Sequence, residues 1–155
     1  APSAWLHVKA TAGGGPLYDI GSHRAEVFHH LFGLPASVHG ITSTQAFKRD
    51  VEDTATAIYQ YKKGFHVILN VTHAAKEKQD TLDIYGSEGS VHIPDLNLGN
   101  LHFWSPHEKR EESHPPHTNL HQPLIEAFST ALIEKRPFAV NGEVGRDVNL
   151  MLEEV

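Results

Sequence analysis

The clearest pattern in the chain is an alternation. From Asp53 to His73, the run DTATAIYQY, a Lys62-Lys63-Gly64 turn and the run FHVILNVTH place Ala57, Tyr59, Tyr61, Val67, Leu69 and Val71 on one side of an extended backbone. Thr56, Ile58, Gln60, His66, Ile68, Asn70 and Thr72 fall on the other. A period of two with a glycine-containing turn predicts a β-hairpin, one face meeting helices and the other wetter. A strand is expected over Ala36 to Phe47, and DTLDIYGSEGSVHI predicts a second hairpin turning at Gly86 to Gly89. Elsewhere the period lengthens. Leu17, Ile20, Val27, Phe28 and Leu31 share one broad side at 100° per residue, predicting a helix from Pro16 to Leu31 that stops at Gly33 and Pro35. Leu124, Phe128 and Leu132 predict a helix over Gln122 to Lys135, with Pro123 in its first turn, and Val144, Val148 and Leu152 one beginning near Glu143. Asn97 to Thr118 reads as loop-rich. The order of elements, without βαβ alternation, predicts an α+β domain with helices on one face of the sheet.

Composition changes this picture little. The 155 residues suit a single domain able to bury a core unaided. With 13 basic against 19 acidic residues, a net charge of −6 and no basic block, nucleic acid is not an expected partner. The longest apolar run, around Val67-Ile68-Leu69, is far short of the ~20 residues a membrane helix needs, so no membrane partner is expected either. The absence of cysteine removes thiolate chemistry and fits an oxidising or a reducing compartment. The chain opens at Ala1 without methionine and ends at Val155 inside a helical pattern, so a piece of a longer protein is expected.

The candidate chemistry lies in GGGPLYDIGSH, residues 13 to 23. Gly13, Gly14 and Gly15 do not form a dinucleotide fingerprint, which needs G-x-G-x-x-G after a strand in a βαβ unit. They allow a sharp turn into the helix or a close backbone approach to a ligand. On that helix Asp19, His23, Glu26 and His30 are spaced by three and four residues and form one polar stripe. A carboxylate one turn from an imidazole can orient it or share a substrate with it. The same spacing also describes an ion-paired exposed ridge.

GGGPLYDIGSH, followed by LDIYGSEGSVHI and by AFSTALIEKRPFAVNGEVGRDVNLML, resembles the C-terminal domain of the glucose-fructose oxidoreductase and inositol dehydrogenase (Gfo/Idh/MocA) family over nearly the whole chain. The resemblance implies a large, mostly antiparallel sheet and an N-terminal Rossmann partner domain, encoded by the same gene and absent here, that holds NAD or NADP. It implies a sugar, polyol or related hydroxyl substrate, a homo-oligomer formed through the sheet, and the cytoplasm as location. The family's D-x-x-x-H pattern falls on Asp19 and His23, implying that His23 takes the hydroxyl proton while Asp19 orients it or binds substrate. Glu26 stands where the family often has aspartate, and with Gly13, Gly14 and Gly15 is expected near substrate. The family's Glu-Lys-Pro lysine has no counterpart in these residues, so the chain alone is expected to be inactive and to hold no cofactor tightly.

Two other readings stand beside this one. A non-catalytic module could use the sheet for assembly or ligand binding, since the face carrying Ile58 and Ile68 among polar residues has the balance of a protein interface. Thirteen histidines also suggest a metal site, from His114, His117 and His121 or from His23, Glu26 and His30, although no metal is the expectation.

Overall fold

A computed structural model describes residues 4–155. The chain forms two compact units: one runs through Ala75 and takes up Ala139–Val155, the other is Lys76–Phe138. Strands and helices are segregated and every strand ladder is antiparallel, as an α+β chain requires.

In the first unit a 3-10 turn (Ala4–His7) and a short helix α1 (Lys9–Ala12) lead into the glycine triplet. A π-helical turn (Leu17–Gly21) then runs straight into α2 (Ser22–Phe32). Three strands follow in the order β1-β2-β3: Ser37–Ser43, Thr54–Gln60 and His66–Thr72. The hairpin register pairs Ala57 with Leu69, Ile58 with Ile68 and Tyr59 with Val67, so the predicted alternation is realised. Ala55, Ala57, Tyr59, Tyr61, Leu69 and Val71 are buried, whereas Ile58, Gln60, His66, Ile68 and Asn70 are exposed. The buried side meets α2: Phe28 lies edge-on to Tyr59 at 6.0 Å between ring centroids, and Phe32 edge-on to Tyr61 at 5.8 Å. The last helix, α4 (Gly142–Glu153), packs along α2 and buries Val148, Met151 and Leu152. His29 Nε2 lies 3.4 Å from Asp147 Oδ2 across that contact. Asn141 caps α4 by accepting the N–H groups of Glu143 and Val144, satisfying donors that have no partner inside the helix.

The second unit holds β4 (Leu82–Tyr85), β5 (Ser90–Ile93), β6 (Asn100–Trp104) and β7 (Lys109–Ser113) in sequential antiparallel order, and α3 (Gln122–Ile133). β6 and β7 correct the expectation of loop over 97–118. β7 reads Lys-Arg-Glu-Glu-Ser, a charged outermost strand with no apolar alternation to announce it. Its charges pair among themselves, Arg110 bonding both Glu108 and Glu112. α3 forms as predicted, yet Leu124, Phe128 and Leu132 are exposed and its buried residue is Ala131.

Two further departures bear on the site. The helix expected from Pro16 begins as a π turn, so the single 100° phase does not hold across it: Leu17 and Phe28 are buried, but Ile20 and Leu31 are exposed. The strand expected to Phe47 stops at Ser43, because the N–H groups of Gln45, Ala46 and Phe47 all turn to the Asp53 carboxylate and are lost to any ladder.

Tyr59 is fully buried, its hydroxyl finds no partner among the described residues, and burial pushes its pKa up. Its contribution is therefore the ring, not the oxygen. Tyr59→Phe should leave the melting temperature unchanged or raise it, whereas Tyr59→Ala should cost about 3–5 kcal/mol as a core cavity. A clear loss for Tyr59→Phe in thermal or urea melts would show that the hydroxyl is bonded.

Candidate functional site

The segment from the triplet to α2 is shaped by contacts within the chain. Gly13 sits at φ +80°, a conformation that favours glycine. Gly14 and Gly15 are buried: a Cβ on Gly14 would press into the Tyr18 ring, and one on Gly15 would coincide with the Glu52 carbonyl oxygen. Glycine at 14 and 15 thus lets the chain close on itself. Glu52 Oε1 also accepts the Leu17 N–H at 3.2 Å, a carboxylate placed at the opening of the helical segment. Burial, then the charges of Glu153 and Glu52, push the Tyr18 pKa up, so its phenol stays neutral.

The clamp continues along residues 45–53. Asp50 Oδ2 accepts the Lys9 N–H at 2.9 Å. Asp53 is fully buried, and its Oδ2 accepts the N–H groups of Gln45, Ala46 and Phe47 at 2.9, 2.7 and 3.1 Å. Thr54 donates to its Oδ1. Burial alone would raise this carboxyl's pKa, but the backbone donors and the Thr54 hydroxyl outweigh it and hold it below the usual aspartate range. Its backbone carbonyl accepts the His73 N–H at 2.9 Å, which fixes the end of β3.

Asp19, on the π turn, faces this assembly. Its Oδ2 lies 3.2 Å from His73 Nε2, and His73 Nδ1 lies 3.1 Å from Arg49 Nη2. Arg49 also donates to the Glu52 carbonyl at 3.1 Å and lies over the Phe47 ring, 4.9 Å from its centroid. Among the described residues no side-chain hydrogen bond or ion pair joins Asp19 to His23. A π turn takes more residues than an α turn, so a four-residue step does not complete it, and the carboxylate is carried round toward β3.

His23 and Glu26 instead line a cleft of about 300 Å³ between α2 and α4, with Ser22, Asn141, Val144 and Asn149 among its walls. His23 is exposed and Glu26 half-buried. His30, at the far end of the stripe, is exposed and outside the cleft. The predicted residues are therefore divided: His23 and Glu26 share a cleft, Asp19 belongs to a chain of bonds with His73 and Arg49, and Gly14 and Gly15 lie beneath. Sequence reasoning missed Arg49, Glu52, Asp53 and His73. The only local signal was a histidine closing a strong strand pattern.

Of the histidines weighed for metal, His114 Nε2 lies 2.8 Å from Glu112 Oε2 and His117 Nδ1 lies 3.0 Å from the Asn119 carbonyl. Among the described residues no group of three or more His, Asp or Glu could hold a metal ion. No helix among them is long and apolar enough to cross a membrane. A nicotinamide cofactor's pyrophosphate does not fit the triplet, which follows a helix instead of a strand and whose Gly14 and Gly15 are packed from within.

The first unit is thus an antiparallel three-stranded sheet with α2 on its buried face, Asp19 on the π turn that leads into that helix and His23 in its first turn. The sequence profile of the GFO/IDH/MocA C-terminal domain matches residues 1–92, and the chain belongs to that family. No curated protein sequence matches it. Solved structures with the same fold include levoglucosan dehydrogenase in complex with NADH and levoglucosan, at TM-score 0.86 and 20% identity over 100% of this chain and 50% of that one. Aldose-aldose oxidoreductase from Caulobacter crescentus, complexed with glycerol, matches at TM-score 0.82 and 22% identity, over 97% and 47% of the two chains. UDP-N-acetylglucosamine 3-dehydrogenase from Acidithiobacillus ferrooxidans matches at 0.80 and 21%, over 99% and 47%. The chain thus spans about half the length of the structures it matches.

Because Asp53 has a lower pKa folded than unfolded, its charge stabilises the fold fully above the unfolded value of about 3.9, and that stability is lost as pH falls through the folded pKa. Asp53→Asn should therefore melt several degrees below the parent near neutrality, with the gap narrowing as pH drops below about 4. A gap that stays constant to about pH 2 in circular-dichroism melts would show that the charge plays no part.

Proposed function

We propose that this chain is the substrate-binding half of an NAD(P)-dependent oxidoreductase acting on a sugar, polyol or related hydroxyl compound. The observation that carries the reading is the α2–α4 cleft, whose lining includes His23, Glu26 and Asn149 together with Asn141, the residue that caps α4. Convergent donors and acceptors around a small concavity suit a polyhydroxylated ligand. The names of the half-matched structures, three of them enzymes of sugars or sugar nucleotides, support the same class.

In this mechanism His23 accepts the proton of the reacting hydroxyl as the adjacent C–H bond breaks, so that O–H and C–H are exchanged for C=O. A nicotinamide cofactor, held by an N-terminal domain outside this chain, would supply the hydride acceptor. Asp19, on the π turn, binds substrate instead of orienting His23, and Glu26 binds a substrate hydroxyl in the cleft. Gly13 is the exposed glycine available to a ligand, while Gly14 and Gly15 serve by holding the turn. Without the partner domain the chain is inactive.

The test is turnover by the full-length protein with NAD or NADP and a panel of aldoses, anhydro-sugars and polyols, followed by nicotinamide absorbance. His23→Ala should lower kcat by on the order of 10²- to 10⁴-fold with the fold intact, and Asp19→Asn should cost less. Normal turnover by His23→Ala would remove it from the mechanism.

A second role, self-association through the sheet, is supported by Ile41, Ile58 and Ile68 on one exposed face, with Ile41 76% and Ile68 58% accessible. A two-fold pairing would bury the same patch from both copies, so Ile68→Glu should place two charges in it and break it. Light scattering at tens of micromolar should give a dimer mass or larger that falls in this variant; a monomer mass in both refutes the contact.

A further inference from the structure

The bonds around Asp19 have a sense as well as a length. A guanidinium has donors and no acceptor, so the contact between Arg49 Nη2 and His73 Nδ1 requires a lone pair on Nδ1. An imidazole without a proton on Nδ1 is neutral and carries its hydrogen on Nε2. Nε2 is the atom 3.2 Å from Asp19 Oδ2, so the hydrogen it carries lies on the carboxylate's side of the ring. Asp19 Oδ1 has no partner among the described residues.

The donor that fixes the tautomer is itself fixed. Arg49 is held by the Glu52 carbonyl and the Phe47 ring, and Glu52 binds the Leu17 N–H at the start of the π turn. The links Asp19, His73, Arg49, Glu52 and Leu17 therefore close a ring that leaves the π turn and returns to it. His73 is tied through its own N–H to Asp53. Asp19 is 44% exposed and His73 25%, so the ring opens to solvent on the carboxylate's side.

We propose that His73 is a positioning residue for Asp19, locked by Arg49 as the neutral Nε2–H tautomer so that Asp19 is held by one oxygen and offers the other to a substrate hydroxyl. The proposal rests on the oxidoreductase reading for the substrate but not for the tautomer. Arg49 acts at one remove: it decides which way the imidazole points its proton, and so keeps the Asp19 carboxylate an acceptor with a fixed orientation.

Two measurements on the full-length protein test it. Nitrogen-15 histidine spectra at neutral pH should show His73 neutral and protonated on Nε2, and Arg49→Met should shift it to the Nδ1–H tautomer or to imidazolium. An Nδ1–H or doubly protonated His73 in the parent overturns the assignment whatever the enzyme's activity. On the pyranose giving the highest turnover in the assay above, His73→Ala should lower kcat by about tenfold or more, with KM less affected. His73→Gln, which restores an N–H donor, should recover most of that loss at equal melting temperature. Equal losses in the Ala and Gln variants that track melting temperature, or turnover by His73→Ala within about twofold of the parent, would make His73 purely structural. Failure of His23→Ala to impair turnover strikes the oxidoreductase mechanism and leaves the tautomer result standing.

Discussion

The buried carboxylate of Asp53 is the constraint on which the rest of the first unit depends. A charge removed from water must be met by donors, and here three successive backbone N–H groups and a hydroxyl meet it. Those N–H groups end β1, bend the chain after Ser43 and bring residues 49–52 back toward the glycine triplet. The same residue's carbonyl accepts from His73 and from the Thr72 hydroxyl, so one amino acid joins the end of β3 to the loop that grips the π turn.

From that anchor the site is assembled by backbone proximity more than by side-chain reach. Glu52 meets Gly15 so closely that no Cβ is admitted, and its carboxylate holds the next amide but one. The π turn then does two things at once: it buries Leu17 and Gly21 against β3 and swings Asp19 away from the α2 face where His23 and Glu26 lie. Two acid/base groups separated by four residues are thereby given different neighbours, a carboxylate with an imidazole behind it and an imidazole opening on a cleft.

What the sequence disclosed follows the strength of local signals. The β2–β3 hairpin was legible because one face is buried apart from a half-buried Val67, which makes apolar alternation obligatory, and helix starts at Pro16 and Pro123 were legible from proline's fixed φ. β7 was not, since an outermost charged strand buries almost nothing and leaves no period to read. The π turn was hidden because Leu17, Ile20, Val27, Phe28 and Leu31 satisfy a 100° pattern on paper, and only the structure shows Ile20 turned outward. Of the site, His23, Glu26 and Asp19 were visible as spaced polar residues on a helix. Arg49 and His73 were invisible because they come from a loop and a strand end that are joined at Asp53, a contact between distant segments that no local pattern encodes.

The first unit is completed by the last residues of the chain. Val148, Met151 and Leu152 of α4 are buried, and Val148 lines the cleft with Val144 and Asn149, yet they follow the whole of Lys76–Phe138. Order of synthesis therefore matters. A nascent chain can form the hairpin, the Asp53 nest and the π turn while the second unit is still being made, with α2 lacking its partner helix until α4 emerges. The long excursion itself adds little entropic cost, since closure grows only with the logarithm of loop length. The delay exposes an apolar flank during that interval, so a chain interrupted before Gly142 would have a finished sheet, an unfinished pocket and a surface open to chaperones and proteases.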